Sequence, residues 1–116
     1  LQFLREAAAE RFAEIILRDL NYDHVNLPIY RGLKRVIYNW NRFQAFCVRQ
    51  EMDSTALREQ AALALRRKLA LVEAEPDPAQ PFFNCTCAEL ATLLKDLGLE
   101  DQALPSTMAC LCLPGD

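Results

Sequence analysis

Ile29, Leu33, Val36, Ile37, Trp40, Phe43 and Cys47 follow one another mostly at steps of three and four. That spacing lines them along one face of a helix with roughly 3.6 residues per turn. The stretch Ile29–Gln50 also holds Tyr30, Tyr38 and Phe46, besides the chain's only Trp, so its apolar surface is wider than one stripe. A helix of that kind packs on more than one side. Asn26 and Pro28 supply a start, since Asn caps well and Pro suits a first turn. A central helix over 29–50 is therefore the expectation around which the rest of the chain is read.

The polar residues of this stretch are basic. Arg31, Lys34, Arg35, Arg42 and Arg49 occur there without one acidic residue, and Arg35, Arg42 and Arg49 recur every seven residues. Two readings fit. The stripe is a solvated face paired with acids elsewhere, or it is a docking patch for an acidic partner with Tyr38 available for stacking. In the second reading Arg31, Arg35, Tyr38, Arg42 and Arg49 are the partner-binding residues. Nucleic acid is disfavoured: Lys+Arg is 13 against 16 Asp+Glu, net −3, where a nucleic-acid domain carries a strong basic excess.

Charge is segregated along the chain. Residues 1–30 carry 3 basic and 5 acidic groups, residues 31–72 carry 9 and 3, and residues 73–116 carry 1 and 8. Such halves pair within a monomer, head to tail between subunits, or with a charged partner. The length of 116 residues points to one domain, and a hydrophobic content of 52% is ample for a core. Few Gly and abundant Ala, Leu, Glu and Arg favour helix over hairpins. No apolar run approaches the roughly 18 residues of a membrane span, so no membrane partner and a cytoplasmic location are expected. The chain begins at Leu1 without Met and without a charged-then-apolar leader, which points to a removed start or to a piece of something longer.

The remaining elements follow in order. A first helix is expected over 2–20, with Leu4, Ala8, Phe12, Ile15, Ile16 and Leu20 buried and Glu6, Glu10 and Glu14 in a row outside. Asn21–Leu27 reads as a turn. Asp53 or Ser54 caps a third helix over 55–73. Leu57, Ala61, Ala64, Leu65 and Val72 are its buried face and Leu69 its edge, and Leu63, Ala70 and Leu71 add apolar surface. Arg66, Arg67 and Lys68 suit the cation-favouring end of a helix dipole. The Pro-rich connector 74–81 ends that helix, and Phe82 and Phe83 should anchor the chain back onto the bundle. Thr86-Cys87-Ala88-Glu89 spells a capping box before a fourth helix over 87–97, with Leu90, Leu93, Leu94 and Leu97 buried and Gly98 as its stop. The tail 105–116 contains the apolar run Met108–Leu113, which should not hang free in water.

Arg18 and His24 are separated by five residues, with Asp19 directly after the Arg. This resembles the Arg-x4-6-His motif of HEPN-type ribonucleases, whose domains are helical bundles of similar size. The resemblance implies Arg18 and His24 at a dimer cleft acting on RNA phosphodiesters. The family's motif runs into a helix late in the domain, whereas this one runs out of a helix near the start.

Five cysteines complete the inventory. Cys47 falls on the apolar stripe and reads as a small core residue. Cys85, Cys87, Cys110 and Cys112 form two C-x-C pairs, a candidate four-thiolate site for Zn or an iron–sulfur cluster. The spacing argues the other way, because zinc knuckles use C-x2-C, whose two intervening residues let both sulfurs turn to one ion. Reduced buried thiols without a ligand, disulfides between the pairs, and a bound metal all remain open, with no cofactor the leading expectation. Asn84-Cys85-Thr86 also fits the glycosylation pattern. No phosphate-binding glycine loop or His-carboxylate cluster is visible.

The sequence thus predicts an all-α single-domain bundle of about four helices with the Cys-containing tail packed on it. The leading functional reading is a small non-enzymatic interaction domain (regulator, adaptor or assembly factor) that self-associates, with a protein partner or a second copy as its target. The alternatives are a cysteine-based metal or redox sensor and a HEPN-like RNA-binding or RNase domain.

Overall fold

Apolar periodicity and two sets of end signals divide the chain into helices. The computed structural model describes residues 2–21, 32–74 and 84–99. Within them lie α1 (Gln2–Asn21), α2 (Gly32–Gln50), α3 (Thr55–Ala74) and α4 (Cys87–Asp96), with no strand among the described residues. The protein is all-α, and its four helices fit a four-helix bundle. The expected start of α2 at residues 29–31, the anchors Phe82 and Phe83, the tail 105–116 and His24 fall outside the described residues, as does the connector beyond Ala74.

α1 packs against both α2 and α3, and α2 also packs against α4. The start of α1 meets the end of α2, where an Arg5 guanidinium N–H donates to the Gln50 carbonyl at 3.0 Å, so these helices run antiparallel. The ends of α1 and α3 meet, where the Arg67 guanidinium donates to Asn21 Oδ1 at 3.1 Å, so these run parallel. The core gathers Ile16 and Leu20 of α1 with the predicted α2 stripe Leu33, Val36, Trp40, Phe43 and Cys47. Leu57, Ala61, Ala64, Leu65 and Leu69 join it from α3, and Leu90, Leu93 and Leu94 from α4, followed by Leu97 and Leu99. α2 is thus covered on two sides, as its wide apolar surface requires.

The helix ends follow local chemistry. At α4, the Thr86 hydroxyl accepts the Glu89 N–H at 3.1 Å and the Glu89 carboxylate accepts the Thr86 N–H at 2.8 Å, which completes the predicted capping box. Its end is a Schellman motif: the Leu99 N–H donates to the Leu94 carbonyl at 2.8 Å and the Gly98 N–H to the Lys95 carbonyl at 3.1 Å, with Gly98 at φ 75°. α2 ends in the same way without a glycine. The Met52 N–H reaches the Cys47 carbonyl at 2.9 Å, and Glu51 takes the left-handed position at φ 53°. The Ser54 carbonyl accepts the Arg58 N–H at 3.0 Å at the start of α3. The Asp53 carboxylate there accepts the Thr55 N–H at 3.1 Å and the Thr55 hydroxyl at 2.7 Å. Those bonds, the hydroxyl first, hold the Asp53 carboxyl below its usual range.

One expectation about burial is corrected, and two further positions are placed. Leu4, expected in the core, is exposed. The row Leu4–Ala8–Phe12–Ile16 steps by four each time, which drifts by roughly 40° per step and carries Leu4 far from the side that Ile16 buries. Leu63 of α3 is exposed as well. Lys68, placed in the sequence at the cation-favouring end of α3, is buried. Leu57, Ala61, Ala64 and Lys68 step by four, three and four, so the periodicity itself carries Lys68 onto the inner face.

Candidate interaction surface

The outward face of α2 is the predicted basic stripe. Arg35, Tyr38, Arg42 and Arg49 are all exposed there, together with Lys34, Ala45 and Val48, while Arg31 lies outside the described residues. Arg42 lies two positions from the buried Trp40, roughly 160° around the helix, which is why the stripe points away from the core. The Arg42 guanidinium sits over the Tyr38 ring at 5.6 Å and over the Phe12 ring at 5.7 Å. Each such contact is worth about 0.5–1 kcal/mol at an exposed site and fixes where the charge stands. Phe12 is itself held by Phe43 at 5.7 Å, edge to face, and by Phe46 at 5.5 Å. An aromatic wedge between α1 and α2 thus presents a positioned arginine to solvent.

Large apolar side chains are exposed on the same two helices. Val48 is 78% exposed, Phe3 76%, Leu4 63% and Tyr38 57%. Leu4 lines an open groove of about 470 Å³ with Arg5, Phe46 and Gln50, where the start of α1 crosses the end of α2. A second open groove, of about 360 Å³, runs between α1 and α3 past Leu17, Leu63 and Arg67. Of these, Tyr38 and Leu63 were marked in the sequence, whereas Phe3 and Val48 were not and Leu4 was expected in the core. Their signal was present, because Val48 and Leu63 fall off the three-four stepping of their helices.

Between α2 and α4 lies a smaller cavity of about 170 Å³, lined by Ile37, Trp40, Asn41, Glu89, Thr92, Leu93 and Asp96. Trp40 is buried, and its Nε1 has no hydrogen-bond partner among the described residues. The loop before α4 also ties this corner together. Asn84 Oδ1 accepts the Lys34 N–H at 2.9 Å, satisfying a first-turn donor of α2 from a segment fifty residues away. Asn84, noted in the sequence only as part of a glycosylation pattern, is thus a capping residue for α2.

The cysteines separate. Cys47 and Cys85 are buried and Cys87 is exposed, all three as free thiols; Cys110 and Cys112 lie outside the described residues. Thr86 between them is extended, with φ −74° and ψ 161°, yet Cys85 lies in the core while Cys87 opens α4 at the surface, so the two thiols stand in different surroundings. Burial, with Glu89 and Cys87 adding to it, pushes the Cys85 thiol up to about 11, which is the environment of an inert core thiol. Burial likewise raises Cys47, helped by Asp53. Among the described residues no group of three or more His, Cys, Asp or Glu is placed to hold a metal ion. Arg18 of the HEPN-like pair is exposed near the end of α1, and its partner His24 is outside the described residues. No helix among the described residues is long and apolar enough to cross a membrane.

Compared with known proteins, residues 1–99 match the family described as "Repeat of unknown function (DUF7826)". No curated protein and no solved structure matches the chain.

Proposed function

The chain belongs to the DUF7826 family of repeats, and from that premise we propose that it is a non-enzymatic protein-interaction module that associates with further copies of its own fold. The observation that carries this reading is the number of large apolar side chains left outside the core on three helices: Phe3, Leu4, Tyr38, Val48 and Leu63. Apolar side chains set among charged ones are the usual composition of a docking surface, and single repeats rely on neighbours to cover such surface. A positioned arginine over two aromatic rings adds a specific polar contact to it. Sedimentation or light scattering over a concentration series tests the reading. The expected result is a mass that rises above that of the 13.2 kDa chain. A strict monomer at the highest concentrations reached removes self-association.

A further inference from the structure

We infer that the contact between copies is heterologous, with the acidic outer row of α1 in one copy seated on the basic stripe of α2 in the next. The inference rests on the self-association proposed above and names the surfaces that carry it.

Both surfaces face outward. Glu6, Glu10 and Glu14 of α1 are exposed, as are Arg35, Arg42 and Arg49 of α2. Phe12 faces α2 through its contacts with Phe43 and Phe46. Glu10 and Glu14 lie two positions to either side of Phe12, roughly 160° around the helix, so the acidic row points away from α2. Within one molecule, therefore, the two opposite charges are displayed in different directions and do not cover each other.

Charge then selects the geometry. A two-fold contact of α2 on α2 would oppose arginines, and one of α1 on α1 would oppose glutamates. Like charges placed face to face in an interface are costly. The α1-to-α2 contact opposes unlike charges and also brings exposed apolar groups together, Phe3 beside the acidic row of one copy and Tyr38 beside the basic stripe of the next. The lengths agree. Glu6 to Glu14 spans about 12 Å of helix and Arg35 to Arg49 about 21 Å, so the acidic row fits within the basic stripe. Ala45, exposed in the middle of that stripe, leaves room for a close approach. A contact that joins two different faces leaves one of each unused, so copies add in series, which is the stacking that a family of repeats implies.

The test uses the full chain and two double charge reversals, E6K/E10K on α1 and R35E/R49E on α2. Glu14 and Arg42 are spared because Glu14 pairs with Arg11 and Arg42 packs on Phe12. Sedimentation should show each variant alone associating at least about tenfold more weakly than the unaltered chain. An equal mixture of the two should recover association, since reversal on both sides restores unlike charge at the contact. On the unaltered chain, raising NaCl from about 0.05 to about 0.5 M should weaken association, because exposed charges are screened over a few ångströms at such salt. Association of the unaltered chain that neither reversal nor salt alters would overturn the inference and leave self-association standing. A monomeric unaltered chain would remove both. The salt series keeps the question open to refutation should either variant fail to fold.

Discussion

Glu51 shows how one residue carries a cost that its neighbours hide. It closes α2 in the left-handed region at φ 53°, where Gly98 closes α4 at φ 75°. A side chain there costs about 1–2 kcal/mol, and glycine recovers that less its own chain entropy. Glu51→Gly is therefore expected to stabilise the fold by about 0.5–1 kcal/mol in a urea melt; a lower midpoint would mean that the carboxylate makes a contact of more value than the relief. Cys85 gives a second residue-level expectation. Its thiol titrates near 9.0 when unfolded and is pushed up to about 11 by burial. Its contribution to stability is complete below pH 9 and is lost as pH rises from there through 11, because the unfolded chain gains a thiolate that the core refuses. The variant Cys85→Ala should show a shallower loss of stability between pH 9 and 11 than the unaltered chain.

At the level of elements, α4 rests on its capping box more than on length. It has ten residues, short for an independent helix. Thr86→Ala removes the hydroxyl that accepts the Glu89 N–H and should cost about 1 kcal/mol. Because Cys85 lies directly before this cap, faster labelling of Cys85 by a thiol reagent is the expected companion signal; unchanged labelling would show that α4 is held from elsewhere. Helix positions and caps were legible in the sequence because they depend on neighbours within a few residues. The T-x-x-E box, Gly98 and the Leu33–Cys47 stripe are examples. What was not legible depends on neighbours far along the chain. The Asn84 cap on α2 joins segments fifty residues apart, and nothing in the local pattern announces it. The burial of Lys68 was in the periodicity but was passed over, because the helix dipole already accounts for a cation near that end.

For the whole molecule, the fold class followed from the sequence, whereas the outer surface did so only in part. The basic stripe on α2 was visible as a seven-residue recurrence and Val48 as a position off the stepping of its helix; the exposure of Phe3 and Leu4 required knowing which sides α1 and α2 give to each other. These three side chains lie outside the core, so Phe3→Ser with Val48→Ser should change unfolding stability by no more than about 0.5 kcal/mol for each. The same pair should weaken association between copies in sedimentation. A large loss of stability in the monomer would place these residues in the fold and outside any contact surface.

Trp40 gives the molecule a built-in optical reporter. It is the only tryptophan, it touches Phe43 at 5.7 Å between ring centres, and its indole N–H meets no acceptor among the described residues. An indole without such a bond, in apolar surroundings, emits at the blue end of its fluorescence range, and water moves the emission to the red. Because Trp40 also lines the seam between α2 and α4, its colour should change when α4 lifts away, before the α1–α2 wedge gives way.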